Sequence, residues 1–224
     1  MHDPEGSEYD RLFYPYLFEG GKASVDDVLA QVRHSTLEKC REVIALRHAT
    51  LEHSLEQIAL AGRAMASAFA QGALLLAFGN GGSTTDAQDL VADLLTPPIA
   101  GWVPLPAIAL TNDIAVVTAV GNDVGFDNVY ARQVIALGRR GDIAVGISTS
   151  GNSNNILAAL EQAKKQGLLT IALAGYDGGK SSRSAAVDFC ITSPGDHVPR
   201  IQEAHATTYH ALLEVIQALM RPAS

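Results

Sequence analysis

The chain has 224 residues, 47% hydrophobic and only 18% charged; the composition excludes a disordered chain, and the length suits one domain plus an appendage, or one large α/β domain. Sixteen Lys and Arg against twenty-four Asp and Glu leave a net charge of −8 with no basic run, which argues against a nucleic-acid groove, because counterion release needs clustered cations. Two distant cysteines, Cys40 and Cys190, with no CxxC argue against a disulfide framework or a cysteine zinc site and for a reducing, cytoplasmic setting.

The first ten residues are acidic and polar rather than basic and then apolar. The longest apolar runs fall far below the roughly 20 residues that cross a bilayer, so neither a targeting signal nor a membrane span is expected. Residues 1–24 carry Tyr9, Phe13, Tyr14, Tyr16 and Phe18. So aromatic a segment is expected to be an N-terminal arm packed on its own domain or on a neighbouring subunit. Residues 25–71 read as helix, with Ser24 as N-cap and Asp27 as its capping carboxylate. Apolar residues from Val28 to Phe69 recur at threes and fours, and no Gly or Pro occurs from 25 to 61. Two long helices are expected here, packing on the domain and on partner subunits.

From residue 73 the rhythm changes. Apolar runs at 73–78, 106–110, 142–147, 169–174 and 187–191 alternate with helical stretches at 83–95, 113–120, 126–138, 153–166 and 199–220. Continuous apolar strands between helices imply a parallel sheet covered on both faces, a doubly wound α/β domain over residues 72–224. Such sheets bind ligands beyond the carboxyl ends of their strands. Two strand-to-helix junctions have matching chemistry: Gly79-Asn80-Gly81-Gly82-Ser83, and Ser148-Thr149-Ser150-Gly151-Asn152-Ser153. Glycine allows backbone N–H groups to approach an anion, hydroxyls add donors, and the helix start adds partial positive charge; this suits a phosphate ester. The plainer reading is two ordinary turns with serine N-caps. Neither loop matches a nucleotide fingerprint, and no nucleotide cofactor is expected.

GNGGS, TAVGNDVGFDNVYARQV, GISTSGNS, ALAGYDGGK and RIQEAHATTYH, in this order, resemble the sugar isomerase (SIS) domain, and within it the phosphoheptose isomerases. The resemblance covers roughly residues 40–220. It implies a three-layer αβα sandwich with a five-stranded parallel sheet, a homo-oligomer (usually a tetramer), and conversion of sedoheptulose 7-phosphate to a heptose 7-phosphate. It further implies that Ser148, Thr149, Ser150 and Ser153 hold the phosphate, and that Asn80, Gly81 and Gly82, with Asn122 and Asp123, line the sugar pocket.

Moving a carbonyl between C1 and C2 needs a base, an acid and stabilisation of the enediol oxygens. The family places a His and a Glu four apart on the helix after GNGGS, and a Gln and a His eight apart on the last helix; together they can hold a divalent metal, commonly zinc. Gln202 and His210 match the second pair. They lie about 80° apart around a helix, still one broad side. The first pair departs: Asp89 stands where the family has His, and Asp93 where it has Glu. Asp89 and Asp93, with Asp86, share one helix face. The functional reading is a metal or proton-transfer cluster of Asp89, Asp93, Gln202 and His210, hard enough to take Mn or Mg as well as Zn. The plain reading puts Asp86 on the helix dipole and the other two on a solvated face.

The leading expectation is a phosphosugar aldose–ketose isomerase with Asp93 as base and His210 as acid, acting on sedoheptulose 7-phosphate or a related sugar phosphate. The alternative is a non-catalytic phosphosugar-binding or protein-interaction regulator: one family branch with altered catalytic positions serves replication initiation, and GYDGG and VYARQV resemble it, although it lacks the histidine retained at 210. His205 is expected to be a packing or interface residue. His34, His48 and His53 are expected at solvent or an interface, and His197 and Lys180 at solvent.

Overall fold

The computed structural model describes residues 24–220, so the aromatic arm lies, but for Ser24, outside the described residues. The described residues divide into two units, the boundary falling between Arg41 and Glu42. In the first, Ser24 starts a helix as expected: its Oγ accepts from the Asp27 N–H at 3.1 Å and its O–H donates to the Asp27 carboxylate at 2.8 Å. Val25, Val28, Leu29, Val32 and Leu37 are exposed there.

Helix α1 (Val25–Ala70) is continuous where two helices were expected. Nothing in its sequence breaks it before Gly62, and Gly62 answers a packing need: a Cβ there would stand 2.6 Å from Val215 Cγ1. The second unit continues with β1 (Leu75–Gly79), α2 (Gly82–Leu95), β2 (Ala107–Ala109), α3 (Ile114–Asp123), a 3-10 turn at Phe126–Asn128 and α4 (Ala131–Leu137). Then come β3 (Ile143–Ser148), α5 (Asn154–Gln166), β4 (Leu169–Gly175), a 3-10 turn at Ser181–Arg183, β5 (Phe189–Ser193) and α6 (Val198–Met220). The helix expected over 126–138 is shortened because its first turn tightens to 3-10 form, with the Val129 N–H on the Phe126 carbonyl.

The five strands are all parallel, in the order β2-β1-β3-β4-β5. Strand alternation sorts their apolar residues onto two faces. Leu75, Ala77, Ile143, Val145, Ile147, Ile171 and Leu173 meet Ile58, Met65 and Phe69 of α1, Leu90 and Leu94 of α2, and Leu212 and Ile216 of α6. Leu76, Phe78, Ala144 and Ala172 meet Val134 of α4 and Ile156, Leu160 and Ala163 of α5. This is the expected three-layer αβα sandwich.

Two features of the topology set up function. The order reverses between β1 and β3, and at such a switch the loops leaving the two strands open a crevice; here those are the two phosphate-type loops. Helix α3, by contrast, buries none of its residues despite the sequence IAVVTAV. Together with edge strand β2, α2 and α4 it borders a cavity of about 620 Å³ lined by Val91, Leu95, Ile108, Val116, Val120 and Leu137 among others.

Candidate active site

The loop after β1 is tied to the loop after β3 through Asn155, which sequence reasoning did not single out. The Asn80 and Asn155 side-chain amides exchange two hydrogen bonds, both 2.8 Å. The Tyr130 hydroxyl donates to the Gly79 carbonyl at 2.5 Å, and Thr84 Oγ1 donates to the same oxygen at 2.9 Å. Asn80 therefore spends its side chain on fixing the loops. The N-cap residues of α2 and α5, Gly81 and Ser153, make no side-chain cap; in the first turn of α5 the Ile156 N–H donates to Asn155 Oδ1 at 3.0 Å. Ser153 occupies the N-cap of α5, yet its hydroxyl turns to Ser148 Oγ at 2.9 Å. The N–H groups of Gly82, Asn154 and Asn155, which have no acceptor among the described residues, Gly81 at φ 56° and the hydroxyls of Ser148, Thr149, Ser150 and Ser153 belong to the loops and helix starts at the sheet switch. Such an arrangement favours an anion.

Asn122 and Asp123 end α3, exposed, with the Asn122 amide donating to Asp123 at 2.7 Å. No hydrogen bond ties their side chains to either loop among the described residues. Gln202 sits at the start of α6 with its amide against Gly82; a Cβ on Gly82 would overlap it. Only glycine allows that approach of α2 to α6. Gln202 stands eight residues, about 12 Å along the helix axis, from His210.

Asp89, Asp93 and His210 are brought together. His210 Nε2 lies 3.3 Å from Asp93 Oδ2 and 3.9 Å from Asp89 Oδ2. One ligand atom from each lies within 4.8 Å of the others. One imidazole and two carboxylates form a hard donor set that suits a divalent cation, and these three groups can hold a metal ion. Asp93 and His210 also line a cavity of about 270 Å³ with Pro98, Ile99, Trp102, Leu213 and Glu214. Asp89 is not on a merely solvated face: the Tyr209 hydroxyl donates to its Oδ2 at 2.5 Å. Burial, then the Asp89 hydrogen bond and the charges of Asp89, Asp86 and Asp93, push the Tyr209 phenol up, so it stays protonated and donates. Tyr209 escaped sequence reading because an aromatic beside the seam of an amphipathic helix reads as core, and it is core.

Asp86 departs from the expected helix-dipole role. It is buried, and its Oδ2 has no partner. Burial, with the Asp89 charge as the lesser cause, raises its pKa to about 6. A raised folded-state pKa means that the stabilising proton is present below about 3.8 and lost as pH rises through about 6. Asp86→Asn is therefore expected to stabilise the protein at pH 8 relative to its effect at pH 4. The difference should be on the order of 1–2 kcal/mol, discounted for residual solvent screening. Urea unfolding of both proteins in EDTA at the two pH values checks this; a pH-independent difference would refute it.

The remaining histidines sort as expected. His205 is fully buried with Nε2 3.0 Å from the Ala174 carbonyl oxygen, and burial lowers its pKa to about 4. His34, His48, His53, His197 and Lys180 are exposed. No helix among the described residues is long and apolar enough to cross a membrane.

Comparison with known proteins agrees with this fold. Residues 40–175 match the SIS domain family model. A phosphoheptose isomerase from Geotalea daltonii is 48% identical over 153 residues, covering 68% of this chain and 79% of the relative. One from Aquifex aeolicus is 44% identical over 156 residues, 70% of this chain and 81% of that one. The structure of phosphoheptose isomerase GmhA from Neisseria gonorrhoeae superposes with TM-score 0.77 at 36% identity, over 84% of this chain and 99% of that one. With the sheet order, the paired loops and the extent of these matches in agreement, the chain belongs to the SIS-domain family, among the phosphoheptose isomerases.

Proposed function

We propose that the protein is a phosphosugar aldose–ketose isomerase that interconverts sedoheptulose 7-phosphate, or a related sugar phosphate, and its aldose. The observation that carries this reading is the pairing of Asp93 and His210 at 3.3 Å in a fold whose switch presents two anion-suited loops. Ser148, Thr149, Ser150 and Ser153 hold the phosphate through their hydroxyls and the N–H groups at the start of α5. Asn80, Gly81 and Gly82, with Asn122, Asp123 and Gln202, border the sugar. The Asp93 carboxylate takes a proton from C1 of the ketose while protonated His210 delivers one to the C2 oxygen, giving the enediol. Asp93 then returns its proton to C2, and His210 takes the proton of the C1 hydroxyl, giving the aldehyde. Both groups end as they began.

Asp89, Asp93 and His210, with Gln202 as a further donor, would hold a divalent metal, Zn or, given the two aspartates, Mn or Mg. When bound, such an ion supplies charge stabilisation to the enediol oxygens. The unburied apolar helix α3, exposed Ile108 and Ile114 and the cavity beside them support a homo-oligomer, since contiguous exposed apolar surface marks association; the tetramer follows only from likeness to the family. The cysteine usage supports a cytoplasmic enzyme.

Proton NMR of sedoheptulose 7-phosphate in heavy water, with metal-free protein and then with Zn, Mn and Mg added singly, tests this. The expected result is deuterium at the transferred position and new aldose signals, stimulated by metal. Binding seen as line broadening with no exchange under any metal would replace the isomerase by the non-catalytic phosphosugar-binding reading.

A further inference from the structure

Tyr209 touches two members of the centre at once. Its hydroxyl donates to Asp89 Oδ2 at 2.5 Å, across 120 residues of sequence. That is the same oxygen that lies 3.9 Å from His210 Nε2. Its ring meets the His210 imidazole edge-on, with centroids 4.7 Å apart and planes at 71°. The tyrosine is 2% exposed and packs in the core shared by α1, α2, α6 and the sheet. Asp89 and His210, by contrast, have side chains 55% and 51% exposed. Two half-exposed side chains would ordinarily sample several rotamers, and each is held by one rigid, buried neighbour. The phenol takes up one lone pair of Asp89 Oδ2, and Oδ1 has no hydrogen-bond partner among the described residues. A donor of this kind behind a carboxylate sets both its orientation and its strength as a ligand.

We propose that Tyr209 is a positioning residue of this centre: it holds the Asp89 carboxylate through its hydroxyl and the His210 imidazole through its ring, and so sets how both face cation and substrate. The inference rests on the isomerase reading above for its catalytic readout, and on cation binding for its second. Loss of an outer partner of a ligating group typically costs 10–100-fold in metal affinity or activity.

The test compares the full-length wild type with Tyr209→Phe, Asp89→Ala and the double variant. It reads kcat and KM on sedoheptulose 7-phosphate, and Mn²⁺ affinity from the free-ion signal in electron paramagnetic resonance. For Tyr209→Phe the expected result is a fall of about 10–100-fold in kcat and in Mn²⁺ affinity, with KM changed less than about two-fold. The melting temperature should stay close to wild type because the ring remains in the core. In the Asp89→Ala background the same change should cost little more, because partners in one network are not additive. Wild-type kcat and Mn²⁺ affinity in Tyr209→Phe would overturn the proposal. So would an equal loss in both backgrounds, which would place the hydroxyl's action elsewhere. A wild type that binds Mn²⁺ without turnover, with binding weakened in Tyr209→Phe, would sink the isomerase reading and uphold Tyr209. A wild type with neither turnover nor Mn²⁺ binding would sink both.

Discussion

Ser153→Asp is expected to strengthen the fold and abolish substrate binding in the same protein. Ser153 sits at the N-cap of α5 with φ −65° and ψ 117°, yet leaves the helix without a side-chain cap. Aspartate is a strong N-cap, and its charge favours a helix start, so stability should rise by about 0.5–1 kcal/mol. The same carboxylate would stand where the phosphate dianion is proposed to sit. Like charges about 4 Å apart repel by roughly 1–4 kcal/mol per pair between bulk water and a protein surface. KM for the sugar phosphate should therefore rise on the order of 100-fold. Ser153→Asn separates the two effects, because it caps without charge and should lose far less binding. Thermal denaturation and steady-state kinetics read both. An unchanged KM in the aspartate variant would remove the phosphate from this loop; a lowered melting temperature would show that the hydroxyl pair with Ser148 matters more than the cap.

The second large effect belongs to His210. Removing a general acid–base group costs typically 10²–10⁴-fold, so His210→Ala should lose turnover by a factor in that range with KM little changed. The imidazole is half exposed, and its loss leaves no core cavity, so the melting temperature should move little. The variant should also bind a divalent cation more weakly, since one of three clustered donors is gone. Retained turnover would reject the acid role and move the chemistry to another proton donor.

Much of the architecture was legible because burial on both faces writes strands as short continuous apolar runs. All five lie within two residues of their expected ends, and α6 begins one residue early. The helix α1 was misjudged as two because periodicity at mixed threes and fours does not locate a break, and no residue before Gly62 supplies one. The centre was half legible. Asp89 and Asp93 at i and i+4 declare a shared face, and His210 is reached through the resemblance of the RIQEAHATTYH stretch to the phosphoheptose isomerases. That Asp93 and His210 meet at 3.3 Å depends on α2 and α6 packing side by side.

The amino-acid sequence by itself determined the parallel sheet and the two anion-suited loops, because hydrophobic period and glycine-hydroxyl chemistry are local. Tertiary structure alone decided three further things. It joined Asn155 to Asn80 across 75 residues and Tyr209 to Asp89 across 120. It turned Asp86 from a surface acid into a buried carboxyl with a pKa of about 6. It also left α3 apolar and uncovered. Each depends on which elements pack against one another and how closely, and neither residue spacing nor composition carries that information.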